Sequence, residues 1–369
     1  MARITHTILL TLLVFTLSLF SFGCSKPDDI VLGSIFYLST SKGEPLEQGL
    51  TMLDGMQLAI DELNERGGIN GRHIRLEYRD AKGDPELAKK LFEELRKSSP
   101  ALIFTMYTHI SMAISPLAAK YKIPLLALQA TAEAVTQNAP YTFRYWPTAL
   151  DEARGVMPIV YKLKATRICL VYMDNDYGKS SSSEMIKLLS KNNIPFVELP
   201  FKKIDDDFRK GVEKLDDCDT IHITAFPNLA IPVMEVLRES FPNKNFLGPS
   251  SFSSPDISKH PLLDGTWAPT PLIYNPSFPF ATEVGKEFTE RFETPFSHHA
   301  AIGYDSINLL AQIMAKGGTS HEEIKAELES AFIYPGLFGD VIKAQGSHDF
   351  TFPLYPARIM DKKIVYQGR

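Results

Sequence analysis

The chain has 369 residues, 44% of them hydrophobic, and a formal net charge of −5. That length supports two ordinary domains, each with its own core, and the lack of any basic run or Lys/Arg stripe argues against a nucleic-acid partner. No C-x-x-C and no Cys/His cluster with zinc spacing occurs among its three cysteines, so neither a metal nor a cofactor is expected.

Residues 1–24 read as a secretory signal. Arg3 supplies the positive start, residues 8–22 form an apolar run broken only by Thr and Ser, and Ser21-Phe22-Gly23-Cys24 follows. A small residue directly before Cys24 resembles a bacterial lipobox, with Ser21 where that pattern usually has Leu. Lipidation of Cys24 would anchor the protein to a membrane without spanning it, and residues 25–29 would be a short tether. Ordinary cleavage, with Cys24 incidental, is the alternative.

The next segment holds a complete unit. Met52, Met56, Ala59, Ile60 and Leu63 recur at helical spacing. Gly67-Gly68 follows as a left-handed cap, and Asn70-Gly71 makes a tight reversal. Ile74, Leu76 and Tyr78 alternate with polar residues as in a strand. Asp80, Asp84 and Pro85 end it and open a helix on which Leu87, Leu91 and Leu95 share a face. Strand-like runs follow within residues 101–107 and 123–128. A second series lies within residues 167–173, 195–201, 220–226 and 245–249, with amphipathic helices between. This alternation predicts parallel sheets covered on both faces by helices, in two similar domains. The first series ends near Phe143-Arg144-Tyr145-Trp146-Pro147, with a new helix from Asp151. Long helices are expected at residues 280–292, 300–316 and 321–331, then a β-rich end at 336–365. Cys169 and Cys218 sit in or beside apolar strands and read first as two buried free thiols, with a disulfide as the alternative in an oxidising compartment.

The order LAIDELN, GGINGR, a strand ending in Asp80 and the GDP turn at 83–85 resembles the first domain of type I periplasmic binding proteins. The similar branch is that of the Leu/Ile/Val-binding proteins of ABC transporters. The resemblance implies two Rossmann-like α/β lobes, parallel sheets flanked by helices, joined by a hinge of three crossovers. It would assign residues 30–147 and 274–338 to lobe 1, and 148–273 and 339–369 to lobe 2. It also implies a monomer at the periplasm or cell surface that closes over a small-molecule ligand and docks on an ABC permease. A ligand-sensing receptor for a signalling partner is the rival, because one fold serves both uses.

In open α/β sheets, ligands sit beyond the carboxyl ends of the strands, among free backbone N–H groups and helix N-termini. Tyr107, Thr108 and His109 follow one strand, and Ala130 and Thr131 follow the next. Their hydroxyls and amides suit a carboxylate, and the resemblance implies that role; for Thr108 and Thr131 a plain helix cap is the alternative. In the second domain the resemblance points to Tyr177 and Phe226, each of which also fits a turn or core aromatic. Gln48 falls at a cleft position that is often aromatic in the family. Ser250 in FLGPS stands where amino-acid-binding members commonly carry Glu to pair with the ligand's ammonium group. Either another acid, such as Asp176 or Asp305, serves instead, or the ligand has no ammonium. For Asp305, helix capping or hinge packing is the preferred role.

No catalytic motif emerges, so an enzyme is not expected. Gly178-Lys179-Ser180 imitates the end of a P-loop without its glycine-rich loop, His321-Glu322-Glu323 is not H-E-x-x-H, and no G-x-S-x-G occurs. His298-His299 reads as a helix start.

Overall fold

A computed structural model describes residues 28–367. The signal segment and Cys24 lie outside the described residues. Among those described, no helix is long and apolar enough to cross a membrane.

The first sheet has the order β2-β1-β3-β4-β5. Its strands are β1 (Ile30–Phe36), β2 (Ile74–Asp80), β3 (Leu102–Met106), β4 (Leu125–Leu128) and β5 (Thr142–Arg144), all parallel. Helix α1 (Glu47–Glu65) buries Met52, Met56, Ala59 and Ile60. Gly67 and Gly68 follow with φ of 95° and 73°, and Asn70 and Gly71 with 51° and 79°, so the chain reverses between the paired Ile69 and Arg72. The Asn64 side chain then brackets Ile74, accepting its N–H at 2.8 Å and donating to its carbonyl at 2.9 Å. Asp80 accepts the Leu38 N–H at 2.9 Å, and Asp84 caps α2 (Pro85–Leu95) through the Glu86 N–H at 2.8 Å. On α2 the inward face is Ala88, Phe92 and Leu95.

One face of this sheet packs on α2 and on α3 (Thr108–Tyr121) through Ile35, Phe92, Ile103 and Ile114. The other packs on α1 and on α9 (His298–Gly317), which follows α4 (Ala149–Leu163), α5 (Asp176–Lys191), α6 (Asp206–Val212), α7 (Pro227–Ser240) and α8 (Pro279–Phe292) and precedes α10 (His321–Glu329). Helices α1 and α9 touch backbone to backbone at two glycines. A Cβ on Gly55 would lie 2.1 Å from the Ala300 carbonyl oxygen, and one on Gly303 2.2 Å from that of Met52.

The second sheet contains β6 (Ile168–Met173), β7 (Phe196–Phe201), β8 (Thr220–Thr224), β9 (Asn245–Leu247) and β10 (Trp267–Thr270). Its order is β15-β14-β10-β9-β8-β6-β7. The five strands β7-β6-β8-β9-β10 repeat the spatial order of the first sheet, which is the structural repeat expected from the alternation. β14 (Tyr355–Met360) and β15 (Lys363–Tyr366) add antiparallel strands at one edge. Cys169 and Cys218 form a disulfide with Cα atoms 5.8 Å apart. This corrects the free-thiol expectation: Cys218 lies two residues before β8, beside its neighbour β6, and that adjacency brings the two sulfurs together.

A three-stranded antiparallel sheet, β11 (Phe332–Gly336), β12 (Gly339–Lys343) and β13 (Phe350–Thr351), precedes the chain's return to the second sheet. The expected return to the second domain at 338/339 falls inside this sheet. Val341, Phe350 and Phe352 belong to the first-domain cluster, so the chain reaches the second sheet only at Tyr355. Asp305, fully buried on α9, accepts the Leu337 N–H at 2.8 Å and the Tyr145 hydroxyl at 3.2 Å. It therefore pins the β11–β12 turn, a packing role.

Candidate functional site

The carboxyl ends of the two parallel sheets face one another, and a cavity lies between them. On the first side, β3 and β4 each end in a residue that L side chains rarely tolerate. Tyr107 has φ 64° and ψ 151°, and Gln129 has φ 51°. Such conformations cost about 1–3 kcal/mol each and persist where the surroundings enforce them, often at binding sites. Here they turn the chain at once from strand into loop, leaving Thr108 and Thr131 on the cavity wall. Thr108 is the first residue of α3, and its hydroxyl accepts the Ala132 N–H at 3.4 Å, joining the two loops.

Arg144, fully buried at the end of β5, orients the second loop. Its Nη1 donates to the carbonyls of Ala130, Thr131 and Ala132 at 3.0, 2.9 and 2.8 Å, and Asp349 balances its charge at 2.8 Å. Because the guanidinium engages these three carbonyls, it offsets the repulsion their oxygens would exert on an anion nearby. Ala130 contributes only backbone here. Gln129 Nε2 lies 2.6 Å from His299 Nδ1, and burial lowers His299 to about 3, so this ring is neutral at pH 7. His298 opens α9 as expected; its ring stands 5.5 Å from Trp146 and 4.0 Å from His299.

The second side supplies aromatic rings and one carboxylate. Phe226 stacks on Tyr177 at 5.3 Å with 6° between planes, and lies 5.8 Å from Tyr107 of the opposite side. Tyr177 is carried by the first turn of α5, where Asn175 accepts the Gly178 N–H at 2.9 Å. Glu152, buried in the first turn of α4, also faces the cavity. One of its oxygens accepts the Ser250 N–H at 3.0 Å and the other accepts the Ser250 hydroxyl. Desolvation raises its carboxyl to about 7 despite these bonds.

The structure thus gathers Tyr107, Thr108, Thr131, Tyr177, Phe226 and Ser250 around one cavity. Gln48 instead lines a neighbouring crevice with Thr51, Ser297 and His299. His109 stacks outside the cavity wall, 6.4 Å from Tyr107. Neither acid proposed to replace Ser250 lines the cavity, since Asp176 is exposed and Asp305 is bound to Leu337. Sequence reasoning missed Gln129, Trp146, Glu152, His298 and His299. The pattern around Glu152 reads as a charged helix start, and only the distant Ser250 reveals its inward direction.

Two doubly wound α/β domains flanking a polar and aromatic cavity, with no cluster of His, Cys, Asp and Glu that could hold a metal ion among the described residues, define a two-lobed ligand-binding architecture. A family model described as periplasmic binding protein matches residues 30–363, and the chain belongs to that family. It is similar to the Leu/Ile/Val-binding protein homolog 8 of Brucella abortus, with 24% identity and 84% of this chain and 82% of the relative covered. Among solved structures it is similar to the branched-chain amino acid transporter substrate binding protein LivJ of Streptococcus pneumoniae in complex with isoleucine. The TM-score is 0.77 at 21% identity, covering 92% of this chain and 99% of the other. A solute binding protein of an ABC transporter from Rhodopseudomonas palustris, in complex with 3,4-dihydroxy benzoic acid, gives 0.81 at 16% identity, covering 92% and 96%.

Proposed function

We propose that this protein is an extracytoplasmic solute-binding component that captures a small polar ligand, a branched-chain amino acid or a related small carboxylate or amide, for an ABC importer. The lobes are residues 30–147 with 274–352 and residues 148–273 with 355–367, and they close about the hinge that the three crossings form. Closure excludes water and strengthens each hydrogen bond to the ligand. No bond is made or broken. The observation that carries this reading is the juxtaposition across the cavity of the Thr108 and Thr131 loops with the Tyr177–Phe226 stack. The two similar structures hold isoleucine and a dihydroxybenzoic acid, which share a carboxylate. Thr108 and Thr131 are the carboxylate receptors in this scheme. Lipidation of Cys24 would keep the receptor at the membrane beside its permease.

The test is a thermal-shift screen of amino acids, aromatic acids and amides. A ligand at one hundred times its Kd stabilises the closed form by about 2.7 kcal/mol, a readily measured shift in melting temperature, and Thr131→Ala should abolish it. A panel without a single responder would defeat the importer reading.

A further inference from the structure

We propose, resting on the solute-binding reading, that Glu152 is the receptor for a cationic nitrogen of the ligand, held between its carboxylate and the Tyr107–Phe226–Tyr177 rings. The ligand is then dipolar, with its anionic end on the Thr108 and Thr131 loops and its cationic end at Glu152. Three observations carry this. The Glu152 carboxylate is buried on the cavity wall, and among the described residues no Lys or Arg lines that cavity. Arg144, the nearest buried cation to the Thr131 loop, already faces Asp349. A buried carboxylate without a counter-charge is costly, so the closed site lacks one positive charge that a ligand can supply.

The second observation is the way Glu152 is held. Ser250 donates to both of its oxygens, from its N–H and from its hydroxyl, and the Ser250 carbonyl is in turn fixed by the Ser253 hydroxyl at 2.5 Å. These donors favour an ionised acceptor and fix its direction. Each oxygen keeps a further lone pair for a ligand donor. Third, the Tyr107, Phe226 and Tyr177 rings form one contiguous wall, with successive centroids 5.8 and 5.3 Å apart. Aromatic faces attract cations, most strongly where water is excluded. The acid that receives the cation therefore stands on the first turn of α4 rather than at the end of β9, with Ser250 as its orienter.

The experiment pairs ligands that differ only in the nitrogen. A library of amino acids, betaines and their des-amino carboxylates, including isoleucine with 3-methylpentanoate and phenylalanine with 3-phenylpropanoate, is screened by thermal shift and titrated calorimetrically. The nitrogen-bearing member of a responding pair should bind at least about tenfold more tightly, the effect of about 1.4 kcal/mol. Glu152→Gln, which keeps the shape, lets its amide oxygen accept the Ser250 N–H and lets its amide nitrogen donate to the Ser250 hydroxyl oxygen in place of accepting from it, should erase that preference; Ser250→Ala, which leaves the carboxylate in place, should weaken binding while keeping it. Des-amino ligands binding equally well, or a preference that survives in Glu152→Gln, would overturn the proposal and leave the solute-binding reading standing. Silence from both halves of the library would overturn that reading, and this proposal with it.

Discussion

At the scale of single residues, Glu152 has a consequence that needs no ligand. Its carboxyl is raised by burial from an ordinary 4.5 to about 7. A carboxyl raised on folding holds more protons in the native state, so its contribution to stability falls as pH rises between those values. Asp305, also raised by burial to about 7, acts in the same sense. His222 and His299, lowered by burial to about 4 and 3, act in the opposite sense at acidic pH, because they must remain neutral. The difference between the wild type and Glu152→Gln isolates the one group. In ligand-free protein the variant should gain on the wild type from pH 5 to pH 8 by up to about 3 kcal/mol, read from urea unfolding at each pH; a constant difference across that range would contradict the assignment. Glu152 was hidden in the sequence because an acid near a helix start is usually a solvated favourable charge. Thr108 and Thr131 were legible, since position after a parallel strand is itself the signal.

At the scale of elements, periodicity located the strands and helices well, because burial on both faces of a parallel sheet writes continuous apolar runs. The division of the last strands was less legible. The β11–β12 hairpin turns at Gly336 to Gly339, which reads as a boundary, yet the alternating burial of β12 belongs to the first-domain core. The α1–α9 contact depends on two missing side chains. Gly303→Ala should destabilise the fold by about 1–3 kcal/mol, since its Cβ meets backbone at 2.2 Å and neither helix can yield without moving the other. Denaturant titration should show a lowered midpoint at unchanged slope. The Cys169–Cys218 bridge joins positions 49 residues apart, and its removal by Cys218→Ser should cost about 2–4 kcal/mol. Thiol titration of the unfolded, unreduced protein should find neither cysteine free.

At the scale of the whole molecule, the two sides meet across the cleft, and there the Thr131 carbonyl accepts the Ala149 N–H at 2.9 Å. Besides the Tyr107–Phe226 rings, the Glu133 N–H donates to Ser180 Oγ at 3.3 Å, and Glu133 Oε1 accepts the Leu150 N–H at 3.4 Å. Phe226→Ala removes the aromatic part, worth about 0.5–1.5 kcal/mol beyond area. It should raise Kd for a responding ligand severalfold and enlarge the radius of gyration of the ligand-free protein in small-angle scattering. Unchanged scattering and affinity would remove Phe226 from the closing contact. The three-stranded sheet bears on biogenesis as well as on motion. Because β14 and β15 finish the second sheet only after the chain has returned through the first domain, the ribosome releases the edge of that sheet last. The second-domain core, which includes Ile359 of β14, is therefore completed only after the chain has supplied Val341, Phe350 and Phe352 to the first-domain core.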